Sequence, residues 1–187
     1  MNKDCLNKKG LILLANGFED TEAITTIDIL YRAGIKPLMV SMNDEIILTQ
    51  CKNELVVKES IKNIDFKEFD FLVIPGGGAV MNNLIKNDYV DKAINSFIKD
   101  GKLVAAICAG PMTIGKLGYL RNRKFTCFPT CEEGIDGIYT KNGVEVDGNI
   151  ITGKSMAYTI PFALEIVKYV LGEEKAKQVE NNIYAKY

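Results

Sequence analysis

The stretch VAAICAGPM, residues 104–112, decides the fold. Val104–Ile107 is a run of small and β-branched residues, which predicts a buried strand that ends at Cys108. Pro111 suits the first turn of a helix, because its φ angle is already helical. A thiol therefore stands where a strand meets a helix, although valine or alanine would serve packing there equally well.

Apolar runs alternate with helix-like stretches on both sides of this strand, which predicts an α/β fold with a mostly parallel sheet. The main predicted strands cover residues 10–15, 36–42, 69–75 and 102–108. The predicted helices cover residues 21–34, 88–100, 111–117, 158–172 and 173–183. In the first helix, Ile24, Ile27 and Leu30 are expected to form the buried face.

Shorter strands are predicted within residues 45–60 and at residues 124–128, 143–148 and 149–153. Asn142-Gly143 and Asp147-Gly148 are good hairpin turns between the last three strands. Since no repeat or linker interrupts the pattern, residues 1–187 are predicted to form a single domain.

Composition excludes several classes of function. Lysine and arginine number 23 against 24 acidic residues, so charge gives no case for binding nucleic acid or an anionic membrane. The apolar runs are of strand length, too short for a membrane span or a signal-peptide core, which favours a cytoplasmic protein. The 5 cysteines, with no framework spacing, are then expected to be reduced thiols. The chain has no histidine, so acid–base chemistry would need other groups with shifted pKa values.

Cys108 occupies the position at which parallel α/β sheets bind ligands, beyond the carboxyl end of a strand. The arrangement resembles a nucleophile elbow with cysteine in place of serine, flanked by the small residues Ala106 and Gly110. Free amides and the helix dipole at this place are expected to lower the pKa of the thiol. The alternative is that Cys108 is only a small buried residue, as free cysteines often are.

A glycine turn, IPGGG at residues 74–78, follows another predicted strand. Without Cβ atoms, its backbone amides can turn towards an anion. Alone the turn carries little information, but beside a cysteine elbow it predicts one half of an oxyanion hole. The amide of Ala109 would then supply the other half.

Three carboxyl groups, those of Glu19, Asp20 and Glu22, stand at a helix start in NGFEDTEA, residues 16–23. Acids at this place also stabilise the helix dipole. If one of them turns towards Cys108, its pKa should rise, and it would donate a hydrogen bond to the sulfur. The pattern alone does not say which one turns inward.

Taken together, these motifs resemble the ThiJ/PfpI superfamily, specifically its DJ-one branch. The similarity covers almost the whole chain and is carried by GFEDTEA (17–23), RAGIKP (32–37), Cys51, VIPGGG (73–78), AAICAGP (105–111), DGNIITG (147–153) and FALEIVKYVLG (162–172). The resemblance implies a flavodoxin-like sandwich of the class I glutamine amidotransferase type, with a mostly parallel sheet and helices on both faces. It also implies a homodimer whose first helix contributes to the interface, and no metal or organic cofactor.

The resemblance places the nucleophile on Cys108 and its buried glutamate partner on Glu22. It places the oxyanion-type amides on Gly77 and Ala109, with Gly76 beside them in the anion-binding turn.

The chain departs from the family pattern at the rim of the expected pocket. The family's His-Pro step is Phe128-Pro129 here, and its Arg-Gly-Pro-Gly-Thr loop corresponds to KSMAYT, residues 154–159. Phe128, Pro129 and Ser155 are therefore expected to form a more apolar rim.

The sequence is compatible with two functions. The first is a glyoxalase III or protein deglycase type of enzyme, acting on 2-oxoaldehydes such as methylglyoxal or on their early protein adducts. Its chemistry would combine a Cys108 thiolate with Glu22 as the proton shuttle. The second is a non-catalytic redox sensor or chaperone that responds to oxidation of Cys108. Proteolysis and amidotransfer are disfavoured, since no histidine can activate the nucleophile against an amide.

The other cysteines are not predicted to belong to the active site. Cys127 and Cys131 flank Phe128-Pro129-Thr130, and they are interpreted as packing residues rather than as a resolving thiol or a metal pair. Cys51 is given a structural role near the expected dimer region. Cys5 is interpreted as incidental.

Overall fold

A computed structural model of the protein describes residues 8–42 and 45–185. A seven-stranded sheet forms its centre. Its strands are β1 (Gly10–Leu14), β2 (Leu38–Ser41), β5 (Glu59–Ser60), β6 (Phe71–Ile74), β7 (Leu103–Ile107), β10 (Val144–Asp147) and β11 (Ile150–Gly153). They lie in the order β10-β11-β7-β6-β1-β2-β5. Neighbouring strands pair in parallel except β10 and β11, which are antiparallel. The predicted α/β class and mostly parallel sheet are confirmed.

Helices cover both faces of the sheet: α1 (Asp20–Arg32), α2 (Asp88–Lys99), α3 (Pro111–Gly115), α4 (Thr159–Leu171) and α5 (Glu173–Asn182). One layer contains α1, α4 and α5, in which α4 contacts the other two helices. The other layer contains α2 and α3. The sandwich implied by the resemblance is thus the observed architecture.

Helix α2 shows why these segments become helices. The Asn87 side chain accepts a hydrogen bond from the Tyr89 amide at 2.9 Å and caps the first turn. Val90, Ala93, Ile94 and Phe97 then follow at helical spacing, and all four are buried.

The buried face of α1 differs from the predicted one. Ile24 is 45% exposed, so the expected face of Ile24, Ile27 and Leu30 is wrong in part. The buried positions are Glu22, Ala23, Thr26, Ile29 and Leu30. They recur at spacings of three and four residues, so a carboxylate and a threonine share the inward face with apolar residues.

The segment after α3 also differs from its prediction. Only β8 (Lys124–Phe125) forms from the predicted strand at 124–128, and it pairs in parallel with β9 (Ile138–Tyr139). Asn142-Gly143 therefore does not close a hairpin between β8 and β10, because the chain loops through residues 126–137 before it pairs. The second hairpin is confirmed: Asp147 lies opposite Ile150 across a two-residue turn. The predicted pair of strands within residues 45–60 is β3 (Ile46–Leu48) with β4 (Glu54–Val56).

Candidate active site

Three predicted site segments meet because their strands are neighbours. β1, β6 and β7 lie side by side and in parallel, so their carboxyl ends reach the same edge of the sheet. Cys108 comes directly after β7, and the glycine turn comes directly after β6. The chain leaving β1 enters α1, which carries Glu22.

Cys108 stands in a strained turn. Its φ is 62°, a left-handed value that is uncommon for a residue with a Cβ atom. Its amide donates to the Gly153 carbonyl and its carbonyl accepts from the Phe128 amide, both at 2.9 Å. Gly110 must be glycine, since a Cβ there would lie 2.6 Å from the Ile74 carbonyl oxygen. The sharp elbow is therefore held by its neighbours on both sides.

Glu22 is the carboxyl group that turns inward, and it is only 1% exposed. Its Oε2 accepts a hydrogen bond from the Gly76 amide at 2.9 Å. Its Oε1 is buried and meets no N–H or O–H group among the described residues, which leaves the nearby Cys108 thiol available to it. Burial raises the pKa of Glu22 to about 7, even though the Gly76 and Cys108 hydrogen bonds lower it.

The pKa of Cys108 shifts in the direction opposite to the prediction. Burial, followed by the charge and hydrogen bond of Glu22, raises it to about 12. Hydrogen bonds from the Gly77 and Ala109 amides to the sulfur lower it, but they do not compensate. The expected low-pKa thiol is wrong because the strand end buries the sulfur beside a carboxylate, and α3 spans only 5 residues. With these two pKa values, the pair holds two protons below pH 7 and one above it, and that one proton lies on the sulfur.

The glycine turn places its amides on different partners. Gly77 has a φ of 85°, and its amide contacts the sulfur of Cys108, as does the amide of Ala109. The Gly76 amide donates to the carboxyl group of Glu22, and its expected contact with an anion of the substrate stays a prediction. Gly76 also leaves room for the pair, since a Cβ there would lie 2.6 Å from the Cys108 Cβ.

The expected rim residues lie around this edge. Phe128 is 48% exposed and is tied to the elbow through its amide. Pro129 is also exposed, and Ser155 is half-buried two residues after Gly153. A short 3-10 helix, Met156–Tyr158, follows, and the side chains of Met156 and Tyr158 are exposed.

The remaining cysteines form no disulfide among the described residues. Cys51, Cys127 and Cys131 are free thiols, and Cys5 lies outside the described residues. Cys127 is fully buried in the core, which fits its interpretation as a packing residue. Within residues 8–42 and 45–185, no three histidine, cysteine, aspartate or glutamate side chains are grouped as metal ligands. The same ranges hold no helix long and apolar enough to cross a membrane.

Sequence reasoning missed Gln50. Its side chain accepts a hydrogen bond from the Gly78 amide at 3.0 Å, and so joins the β3–β4 segment to the glycine turn. No local signal marks this residue, because the contact spans 28 positions of sequence.

Comparison with known proteins agrees with the fold and the motifs. The DJ-1/PfpI family matches residues 8–169. Protein dj-1beta of Drosophila melanogaster is 30% identical over 186 residues, which cover 97% of this chain and 100% of that protein. Protein DJ-1 homolog B of Arabidopsis thaliana is 32% identical over 92% of this chain, which spans only 40% of that longer protein.

Solved structures agree as well. The crystal structure of Drosophila DJ-1beta has a TM-score of 0.90 at 29% identity and covers 97% of this chain and 100% of its own. An oxidized DJ-1 of Toxoplasma gondii has a TM-score of 0.90 at 26% identity, covering 96% and 100%.

Proposed function

The chain belongs to the DJ-1/PfpI family, and from this premise we propose that it is a cofactor-independent cysteine enzyme that acts on reactive carbonyls. Its substrates are 2-oxoaldehydes such as methylglyoxal, or their early adducts on proteins. Cys108 is the nucleophile and Glu22 is the acid–base group.

The observation that carries this proposal is the contact between Cys108 and a carboxyl group whose pKa is about 7. A general base works best when its pKa lies near the operating pH. At neutral pH a large fraction of Glu22 is ionised and able to accept the thiol proton while the sulfur attacks. A buried glutamate thereby takes the place that histidine holds in other cysteine enzymes.

The reaction begins when the sulfur bonds to the aldehyde carbon of the 2-oxoaldehyde. The thiol proton passes to Glu22 and then to the new alkoxide, which gives a hemithioacetal. Glu22 next removes the proton from that carbon and returns it to the neighbouring carbon, while the hydroxyl proton moves from the first oxygen to the oxygen of the neighbouring carbon. The adduct is then a thioester of a 2-hydroxy acid. Water hydrolyses the thioester and frees the thiol, so the net reaction adds one water to the substrate. The Gly77 and Ala109 amides point at the sulfur, where they favour its charged form.

Lactate formation from methylglyoxal by the freshly reduced protein tests this proposal. We expect turnover to disappear in Cys108→Ser and to fall by more than about a hundredfold in Glu22→Gln, which cannot move a proton. Cys51→Ser is the matched control, because it replaces another free thiol and keeps a hydrogen-bond donor beside Asp20. Equal lactate formation in the native protein and in Cys108→Ser would refute the enzyme proposal.

A redox sensor or chaperone is the second candidate. Its support is that the same two amides and a protonated Glu22 suit the oxygens of an oxidised Cys108, and that the chain has no histidine. The oxidized Toxoplasma neighbour is consistent with this idea. The candidate predicts no turnover, together with a change in thermal stability when peroxide oxidises Cys108.

A homodimer in the cytoplasm completes the proposal. Ile24 and Tyr31 on α1 are 45% and 48% exposed, which leaves apolar surface on the helix expected at the interface. Light scattering should give twice the mass of the chain, and Ile24→Glu should shift that mass towards the monomer.

A further inference from the structure

The glycine turn uses four successive backbone N–H groups, and each has a different partner. The Gly76 amide donates to Glu22, and the Gly77 amide donates to the sulfur of Cys108. The next two amides hold the turn from outside: Gly78 donates to Gln50 Oε1 and Ala79 donates to the Gly17 carbonyl, both at 3.0 Å. Gln50 is the one of these partners that is an exposed side chain.

The turn needs such a restraint because three consecutive glycines have wide conformational freedom. The amide of Gly78 belongs to the peptide plane that follows Gly77, so holding this amide fixes the ψ angle of Gly77. Gly77 also packs closely against the chain beside it, since a Cβ there would lie 2.5 Å from the Gly17 carbonyl oxygen. The direction of the Gly77 amide therefore depends on both neighbouring contacts.

Gln50 is itself held in place. Its amide donates to the Phe18 carbonyl at 2.7 Å. Directly after it, the Cys51 amide and the Asn53 side chain donate to the Asp20 carboxylate, each at 3.0 Å. Burial raises the pKa of Asp20, but the hydrogen bonds from Thr49, Asn53 and Cys51 outweigh it and lower the pKa to about 2. The segment that carries Gln50 is thus bound to Asp20 in the first turn of α1, and Asp20 lies two residues before Glu22.

We propose that Gln50 is a positioning residue of the active site, which acts through Gly78 to keep the Gly77 amide on the sulfur of Cys108. Asp20 and Glu22 lie in the same turn of α1 and have different roles. Glu22 points inward to the thiol, whereas Asp20 anchors the segment that carries Gln50, which in turn holds the glycine turn. The inference deepens the proposed function and rests on it for its effect on turnover, whereas its effect on the thiol does not.

Alkylation of Cys108 by iodoacetamide, followed by mass spectrometry across pH 6 to about 10, measures the thiolate that the Gly77 amide stabilises. Gln50→Leu removes the acceptor, and Gln50→Glu keeps one. Gln178→Leu on α5 makes the same change at an exposed glutamine that accepts from Lys175. Thermal unfolding of each variant accompanies the alkylation series.

We expect Gln50→Leu to slow alkylation about tenfold at a given pH, the effect of losing one hydrogen bond to a charged group. Gln50→Glu should recover most of the rate, and Gln178→Leu should match the native protein. Turnover of methylglyoxal should fall in kcat more than in KM for Gln50→Leu. Native alkylation rates in Gln50→Leu would overturn the inference, as would equal losses of rate and stability in Gln50→Leu and Gln50→Glu. A native protein without turnover but with the alkylation pattern above would refute the enzyme and keep Gln50 as a positioning residue of the thiol.

Discussion

Replacing Glu22 with glutamine tests the buried carboxyl group through the stability of the protein, independently of any activity. The pKa of Glu22 rises from 4.5 to about 7 on folding. The folded protein therefore binds more protons than the unfolded chain between these values, so its free energy of unfolding falls as the pH rises through this window. At about 1.4 kcal/mol per pKa unit, the full loss is about 3 kcal/mol above pH 7.

Glutamine keeps an oxygen to accept from the Gly76 amide, and it carries no charge at any pH. We therefore expect Glu22→Gln to resemble the native protein at pH 4.5 and to be more stable at pH 8 by about 3 kcal/mol. Urea unfolding at fixed protein concentration should show this as a midpoint about 1 to 2 M higher at pH 8.

A Cys108→Ser background removes the titration of the thiol and isolates the carboxyl group in this comparison. Parallel changes of the native and Glu22→Gln midpoints with pH would refute the argument, since they would mean that the carboxyl group titrates alike in the folded and unfolded states.

Three further changes probe the same site. Gly76→Ala should reduce lactate formation more than tenfold and lower stability by about 1 to 3 kcal/mol. The reason is that its Cβ would lie 2.6 Å from the Cys108 Cβ and 2.8 Å from Glu22 Oε2. Native activity in this variant would contradict the claim that Gly76 leaves room for Cys108 and Glu22. Phe128→His should leave kcat/KM within about twofold, since Glu22 already supplies the acid–base group, and a large gain would show that Glu22 does not suffice. After mild peroxide treatment, intact mass and peptide mapping should show oxygen added at Cys108 without loss of two hydrogens, because Cys127 is fully buried. A Cys108–Cys127 disulfide would instead show that Cys127 acts as a resolving thiol.

The α/β fold could be predicted from the sequence because it depends on local patterns of apolar residues. Continuous apolar runs such as Val104–Ile107 need burial on both faces, and the helices between them predict parallel pairing. The region after α3 was less readable, since β8 and β9 are each two residues long and pair across 12 intervening positions. The Asn142-Gly143 pair indicates only that the chain can turn there. No hairpin forms between β8 and β10, because β8 pairs with β9 instead.

The sequence predicted which residues form the site, but it did not predict the direction in which the pKa of the thiol shifts. Cys108, Glu22 and Gly77 come together as the motifs suggest, yet the sign of the thiol pKa shift depends on how deeply the sulfur lies and on which carboxyl group faces it. The spacing of Glu22 with Ala23, Thr26, Ile29 and Leu30 does identify the inward carboxyl group, once the buried face of α1 is known. Choosing Ile24 as a buried position rotates that face and hides this signal.

A raised thiol pKa and a reactive thiol are compatible when the base lies beside the sulfur. A permanently ionised thiolate would attract oxidants at all times, and it would also be a weaker nucleophile, since nucleophilicity falls as the pKa falls. A thiol that loses its proton to Glu22 only during attack keeps high nucleophilicity and exposes little standing charge. The two amides on the sulfur then stabilise the charge as it forms. On this argument the rate of Cys108 modification should follow the ionisation of Glu22 near pH 7, although the thiol's own pKa is about 12.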